Sequence, residues 1–172
     1  MEFYIAQGIS VLTALVAVLM MQFKKMKWIL AGQIVANLLT ALTYLLLGGF
    51  SGAGICLLAI LQSLVMFFYA RKQKKPHLPV ILLFIVLYVA CSVYYYTSPI
   101  DICSGLGAVC FALSVVQTKP AASRLLYAPN PLCWAVYDVF TRAYTNFIMH
   151  IVILISTVWA FVRLDVLKKG EK

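Results

Sequence analysis

The feature that most constrains this chain is a succession of long apolar runs, separated by short connections that carry almost all of the charge. Hydrophobic residues make up 64% of the 172 residues and charged residues only 11%, whereas a soluble domain has about 25% charged residues. A helix needs about 20 apolar residues to cross a bilayer, so the chain has room for about seven spans. We therefore predict an all-α, polytopic membrane helix bundle without a soluble domain.

Apolar length and breaks in the pattern predict seven transmembrane helices. Their limits blur most between the fifth and sixth, where Pro120, Pro129 and Pro131 cluster. The first run has no basic region before it and no cleavage pattern after it, so we expect a retained helix and not a signal peptide. The seven spans are expected at residues 3–22, 28–48, 53–70, 78–97, 101–117, 124–142 and 144–164.

The basic residues predict the orientation of these spans, because short cytoplasmic loops hold an excess of Lys and Arg. Thirteen of the 14 basic residues follow spans one, three, five and seven. This places the amino terminus outside and the carboxyl terminus in the cytoplasm, and a six-helix count would put one basic group on the wrong side. Cations dispersed between apolar runs do not form a nucleic-acid-binding face. The basic groups are Lys24, Lys25 and Lys27; Arg71, Lys72, Lys74 and Lys75; Lys119 and Arg124; and Arg163, Lys168, Lys169 and Lys172.

An internal repeat is suggested when spans one to three are aligned with spans five to seven. An offset of 94 residues in the second and third members places Gln62 and Ser63 on Ser156 and Thr157. Three helices per unit and one linker helix give both units the same orientation. This predicts a 3+1+3 parallel repeat about an axis along the membrane normal. The units are residues 1–70, a first three-helix bundle; 71–100, the linker helix; and 101–172, a second bundle with a short cytoplasmic tail.

Several short motifs resemble those of a known family. The run Tyr44–Gly54 (YLLLGGFSGAG), followed by Leu58–Gln62 (LAILQ), is similar to a signature of the small bacterial inner-membrane proteins called YgjV. Cys133 and Trp134 match a Cys-Trp pair late in that family, and the similarity covers nearly the whole chain, including its length. The resemblance implies a multi-pass protein of the bacterial cytoplasmic (inner) membrane.

Two features depart from this resemblance. Gln62 stands where the family signature leads us to expect a more charged residue, and the pair Asp138 and Arg142 has no counterpart there. More remotely, the 3+1+3 plan is similar to that of SWEET, PQ-loop and PnuC transporters, which implies passage of a small polar metabolite between two three-helix bundles. The chain lacks the Pro-Gln pair that forms the hinge of the PQ-loop group, so that gating motion is not carried over.

Asp138 and Arg142 are the charged residues that the pattern places inside or at the edge of an apolar span. A charge at membrane depth costs about 2.5 to 3.5 kcal/mol on insertion scales and usually has a partner or a function. The spacing of four residues, with the acid first, favours an intrahelical ion pair. Trp134 is one turn earlier on the same face, and an aromatic ring beside an acid suits a sugar, a base or a cation. We predict a substrate site in which Asp138 and Arg142 also form a gating or ion pair; a purely structural pair is the alternative.

Amide and imidazole side chains extend this predicted site. Asn37 and Asn130 come from matching spans and are expected to line a central route, although buried amides also join helices, and Asn130 can satisfy a carbonyl freed by Pro131. Asn146 and His150 begin span seven, at the expected depth of the acid, where an Asp and a His can exchange a proton. The predicted substrate-binding residues are Asn37, Asn130, Trp134, Asp138, Asn146 and His150.

The sequence favours transport over chemistry. It has no Ser-His-Asp order, paired carboxylates or cluster of metal ligands, so we expect no enzyme, no metal and no cofactor. The five cysteines lie in or beside apolar segments and are expected to be packing residues, with a Cys91–Cys103 disulfide as the alternative.

The predicted function is that of a transporter-like protein moving a small polar or cationic metabolite, of the sugar, nucleoside or vitamin class, by alternating access. Its expected partners are the lipid bilayer and a small-molecule substrate, with no nucleic acid. A homodimer is left open, because 172 residues form a thin wall around a pore. The alternative is a non-transporting membrane partner or assembly protein whose intramembrane polar residues are structural.

Overall fold

The computed structural model describes residues 2–46, 50–94, 96, 99–140 and 144–167. Over these residues the chain is helical, which confirms the predicted all-α membrane bundle. A five-residue π-helix, Val162–Val166, continues the last α-helix. The α-helices are α1 (Glu2–Met21), α2 (Met26–Leu46), α3 (Phe50–Arg71), α4 (Leu78–Tyr94), α5 (Asp101–Val115), α6 (Pro120–Tyr127), α7 (Pro129–Phe140) and α8 (Tyr144–Phe161).

The distribution of side chains is that of a bundle surrounded by lipid. Within the described residues, four stretches are long and apolar enough to cross a membrane, namely Tyr4–Met21, Met26–Thr43, Ala53–Arg71 and Asn146–Val166. Large apolar side chains cover the outside, such as Leu15, Leu19, Leu57 and Trp159, while many buried positions are alanine. Small residues let helix backbones approach closely where no hydrophobic effect drives association. The buried alanines include Ala14, Ala17, Ala36, Ala41, Ala53, Ala59, Ala108, Ala112, Ala135 and Ala160.

The sixth predicted span differs most from its expected form. It begins at Pro120 and is divided into α6 and α7 at Ala128. Pro129 and Pro131 have no backbone N–H, so they cannot donate the helical hydrogen bonds that would join the two segments. Ala128 nevertheless keeps right-handed helical angles, with φ −52° and ψ −38°. The chain therefore continues in helical conformation through a weakened point.

One basic residue assigned to a connection is instead buried within a helix. The pattern places Arg124 in the connection after span five, but Arg124 lies in α6 and is only 1% exposed. Its Nη1 is 2.6 Å from Oδ2 of Asp165 in the π-helix. Its Nε donates to the carbonyl of Met21 at 2.7 Å, and its Nη2 donates to the carbonyl of Phe23. The expectation that every charge other than Asp138 and Arg142 lies in a connection or at a terminus was therefore wrong, because Arg124 is buried within α6.

The two groups of three spans have the same pattern of helix contacts. In the first, α2 packs against α1 and α3; in the second, α7 packs against α5 and α8. The groups meet where α1 contacts α8 and where α3 contacts α5, and the linker helix α4 packs against α3 and α5. If each helix is replaced by its counterpart in the other group, α1 by α5 and α8 by α3, the α1/α8 interface becomes the α3/α5 interface.

Two hydrogen bonds at these interfaces are related by the predicted offset. Nε2 of Gln62 on α3 donates to the carbonyl of Ala112 on α5 at 3.1 Å. Oγ of Ser156 on α8 donates to the carbonyl of Val18 on α1 at 3.2 Å. Gln62 and Ser156 are 94 residues apart, and so are Val18 and Ala112. The offset thus relates the first helices of the two groups as well as the second and third.

Candidate functional site

A cavity of about 130 Å³ lies between the two groups of helices. We call it the central cavity. Four of the predicted site residues line it: Asn37 on α2, Asn130 and Trp134 on α7, and His150 on α8. The fold therefore brings together side chains that are up to 113 residues apart in sequence. Their role in binding a substrate stays a prediction.

Both groups of helices contribute residues to the lining of the central cavity. Gln33 and Tyr127 are 94 residues apart, are both buried and both line the cavity. Six lining pairs have the same offset: Ala17 with Phe111, Gln33 with Tyr127, Ala36 with Asn130, Thr40 with Trp134, Cys56 with His150, and Ala59 with Ile153.

Trp134 forms an aromatic wall of the cavity together with His150. Their rings are stacked, with centroids 6.3 Å apart and planes 18° apart. The other side of the indole faces little free space, because a Cβ on Gly107 would lie 3.1 Å from its Nε1. A glycine in α5 thus allows α7 to approach closely enough for Trp134 to reach the cavity.

The two predicted asparagines use their amide N–H groups to bind backbone carbonyls. Nδ2 of Asn130 donates to the carbonyl of Gly107 on α5 at 2.8 Å, and Nδ2 of Asn37 donates to the carbonyl of Gln33 at 2.8 Å. The partner of Asn130 is on another helix and is not the carbonyl freed by Pro131. Asn130 therefore joins α7 to α5 while it lines the cavity, whereas the hydrogen bond of Asn37 stays within α2.

Tyr88 is a cavity residue that the sequence did not indicate. It lies on the linker helix α4, is 1% exposed, and packs edge-on against Phe111 with ring centroids 6.4 Å apart. Its hydroxyl has no hydrogen-bond partner, and a buried polar group without a partner costs about 1 to 3 kcal/mol. Such a group lining a cavity is suited to a ligand or a water that binds there. A tyrosine in an apolar linker helix gives no periodic signal that distinguishes it from a packing residue.

A second cavity of about 90 Å³ adjoins the first and shares Thr13, Thr40, His150 and Ile153 with it. Asn146 lines this second cavity, together with hydroxyl groups from α1 and α2. The two cavities therefore connect the predicted inner and outer polar residues through His150. Thr40 can be found from the sequence through the repeat, because it is the counterpart of Trp134.

Two predicted site residues cannot be placed. Arg142 and the side chain of Asp138 lie outside the described residues, although the backbone of Asp138 belongs to α7. The predicted ion pair and the Asp–His proton site are therefore untested. The five cysteines are all free thiols, so the alternative disulfide between Cys91 and Cys103 is absent. In the part of the chain that the structure describes, no group of three His, Cys, Asp or Glu side chains is arranged to hold a metal ion.

A comparison with protein families gives a match along nearly the whole chain. The family Imp-YgjV, described as a bacterial inner membrane protein, matches residues 4–168. Searches of the curated proteins and of the solved structures gave no significant match. The family match confirms the resemblance drawn from the short motifs and agrees with the lipid-facing exterior of the bundle.

Proposed function

Because this chain belongs to the Imp-YgjV family of bacterial inner membrane proteins, we propose that it is a carrier of a small polar or cationic metabolite. Sugars, nucleosides and vitamins are the substrate classes with the right chemistry. The carrier would work by alternating access, with one three-helix bundle rocking against the other. It would need no cofactor and catalyse no reaction.

The central cavity is the observation that carries this proposal. It lies between the two groups of helices, is lined by equivalent positions from both, and contains the unpartnered hydroxyl of Tyr88. In carriers built from repeats, the substrate binds near the middle of the membrane between the repeats. The matched helix contacts and the two hydrogen bonds offset by 94 residues support the same 3+1+3 plan.

The polar groups support a ligand with hydroxyl, amide or amine groups. Trp134 and His150 offer a flat stacked surface, and flat rings bind sugars, bases and cations well. The hydroxyl of Tyr88 can donate to a ligand oxygen. The cavity is smaller than the 300 to 1,000 Å³ typical of drug-sized ligands, so the substrate is small or the bundles separate to admit it.

The rest of the proposal concerns the outer route and the orientation. Asp138, Asn146 and His150 would form an outer polar site, with Asp138 and Arg142 as a gate. The end of the bundle that carries the connections 22–25, 72–77 and 116–119 is here called the basic end. We propose that the basic end faces the cytoplasm, since Lys and Arg concentrate there. A homodimer would thicken the wall around the route.

Thermal unfolding of the purified protein against a panel of sugars, nucleosides and amines tests the binding step. A ligand at 100 times its dissociation constant adds about 2.7 kcal/mol to the stability of the folded state. Trp134→Ala should abolish the shift for a true ligand. Trp159→Ala is the matched control, because Trp159 is on α8 and 61% exposed on the lipid-facing surface.

Uptake of the stabilising compounds into vesicles that contain the protein then tests transport. Flux that Trp134→Ala removes and Trp159→Ala retains supports the carrier. A broad panel that gives neither a shift nor flux in well-folded protein contradicts it.

The second candidate is a membrane partner or assembly protein whose polar residues only hold the helices together. The hydrogen bonds of Asn130 to Gly107 and of Gln62 to Ala112 favour this candidate, because each joins two helices through a side chain. It predicts that Asn130→Ala and Trp134→Ala lower the melting temperature while no compound changes it. The same panel of unfolding curves therefore separates the two candidates.

A further inference from the structure

A cavity of about 530 Å³ lies at the basic end. We call it the basic cavity. It is lined by five cationic side chains, Lys24, Lys25, Lys27, Arg71 and Lys74, and none of its lining residues is acidic. Lys24, Lys25 and Lys27 come from the connection between α1 and α2 and from the start of α2, and Arg71 and Lys74 come from the end of α3 and the connection that follows it. Like charges around a shared concave surface repel one another, and the repulsion is relieved when an anion binds between them.

The basic cavity is the counterpart, in the other group of helices, of the buried Arg124–Asp165 pair. Subtracting the offset of 94 residues from Asp165 gives Arg71, and subtracting it from Arg124 gives Leu30. The carbonyls that Arg124 binds belong to Met21 and Phe23, and their counterparts, Val115 and Gln117, line the basic cavity.

The two interfaces between the groups are therefore closed differently at the basic end. At the α1/α8 interface the protein supplies both the cation and the anion. At the α3/α5 interface a cation, Arg71, occupies the position of that anion. The anion is thus missing from the protein at the interface where cations converge.

We propose that the basic cavity binds a phosphate-bearing anion. A phosphate group has several acceptor oxygens and more than one negative charge, which suits a site combining a planar guanidinium with several ammonium groups. Gln73, Gln117 and Thr118 add neutral polar groups to the lining. A phospholipid headgroup and a free phosphate compound share this chemistry, and both are present where a basic surface meets the membrane interface.

The connection after α3 is fixed in a conformation that holds its cations at the cavity. Gln73 has a φ of 53°, the left-handed angle of a residue that ends a helix. The N–H of Lys74 donates to the carbonyl of Tyr69 at 3.0 Å, and the N–H of Gln73 donates to the carbonyl of Ala70 at 3.2 Å. These two bonds form a Schellman motif, so Arg71 and Lys74 belong to an ordered turn.

A paired set of double variants tests the proposal. Arg71→Gln with Lys74→Gln removes two cations that line the cavity, and Lys72→Gln with Lys75→Gln removes two from the same connection that do not. The full-length protein in detergent is titrated with inorganic phosphate at constant ionic strength, and its melting temperature is recorded. Phosphate should bind at least about tenfold more weakly to the first variant, since a single charge-assisted hydrogen bond is already worth about that factor and two cations are removed, and with unchanged affinity to the second.

A lipid measurement identifies the source of the phosphate group. The same three proteins are placed in bilayers of phosphatidylcholine with or without phosphatidylglycerol. Stabilisation by inorganic phosphate assigns the site to a free phosphate compound, and stabilisation by phosphatidylglycerol alone assigns it to a lipid headgroup; both support the proposal if only the first variant loses the effect. Equal loss in the two variants, or no effect of either probe on the wild type, overturns it.

Discussion

At the scale of single residues, the loss of the ion pair of Arg124 is expected to destabilise the protein most. Its guanidinium is buried and has Asp165 as its counter-ion. Removing one member of a buried pair leaves an uncompensated charge and costs about 3 to 5 kcal/mol. We expect Asp165→Asn to lower the free energy of unfolding by about 3 kcal/mol, because the two carbonyl acceptors of Arg124 are retained. Thermal unfolding in detergent measures it.

The control for this prediction is Arg163→Gln in the same π-helix. Arg163 is exposed and donates one hydrogen bond to Oε1 of Gln22 at 2.8 Å, so its loss should cost less than about 1 kcal/mol. Equal destabilisation by the two variants would show that the whole terminal segment, and not the buried pair, determines the effect.

Tyr88 offers a test that separates ligand binding from packing. Tyr88→Phe keeps the ring against Phe111 and removes the hydroxyl that has no partner. We expect the free energy of unfolding without ligand to stay the same or rise by up to about 1 kcal/mol, since an unpaired buried group is removed. The stabilisation by a transported compound should decrease. A loss of more than about 1 kcal/mol without ligand would mean that the hydroxyl has a structural partner.

The sequence can indicate a site residue when its side chain is unusual for the segment in which it lies. Asn37, Asn130, Trp134 and His150 are polar or amphipathic residues in apolar spans, and all four line the central cavity. Arg124 was assigned, with Lys119, to the basic connection after span five, and its partner Asp165 is 41 residues away. A long-range ion pair of this kind leaves no local pattern in the sequence.

At the scale of helices, two glycines predict opposite outcomes for the same substitution. A Cβ on Gly32 in α2 would overlap Cβ of Met20 in α1, whereas a Cβ on Gly8 in α1 meets nothing within 4 Å. We expect Gly32→Ala to lower the free energy of unfolding by about 1 to 3 kcal/mol, because α1 and α2 must separate. Gly8→Ala should be neutral or raise it by up to about 1 kcal/mol through helix propensity. Similar melting temperatures for the two variants would contradict this close helix contact.

The positions of the helices could be predicted from the sequence, because the length of each apolar run determines them. The break within the sixth span and the π-helix at the end of the last span could not be predicted in this way. Pro129 and Pro131 were expected to blur the start of the sixth span, and they divide it into α6 and α7. The π-helix Val162–Val166 was not predicted. This π-helix positions Asp165 to bind Arg124 and positions Arg163 to bind Gln22. The partners are far apart in sequence, so the local hydrophobic periodicity does not predict these contacts.

At the scale of the whole molecule, the two inter-group interfaces are alike in the middle and different at the basic end. Gln62 and Ser156 form equivalent hydrogen bonds in the apolar region. At the basic end, one interface is closed by an ion pair and the other is a cavity with five cations. If the groups rock against each other, the α3/α5 interface is the one that can open there without separating a buried salt bridge. An anion bound in the basic cavity would then resist that opening.

The orientation of the bundle is the last prediction, and it depends on counting α6 and α7 as one span. With that count the chain crosses the membrane an odd number of times, so its two ends lie on opposite sides. The basic end should face the cytoplasm, because Lys and Arg are retained on that side. A green fluorescent protein fused after Lys172 should therefore fluoresce, because it fluoresces only in the cytoplasm. Alkaline phosphatase fused at the same place should be inactive, because it is active only in the periplasm. The reverse result would require an inverted bundle. In that case the basic cavity would face the periplasm, and its anion would have to come from the outer leaflet or from outside the cell.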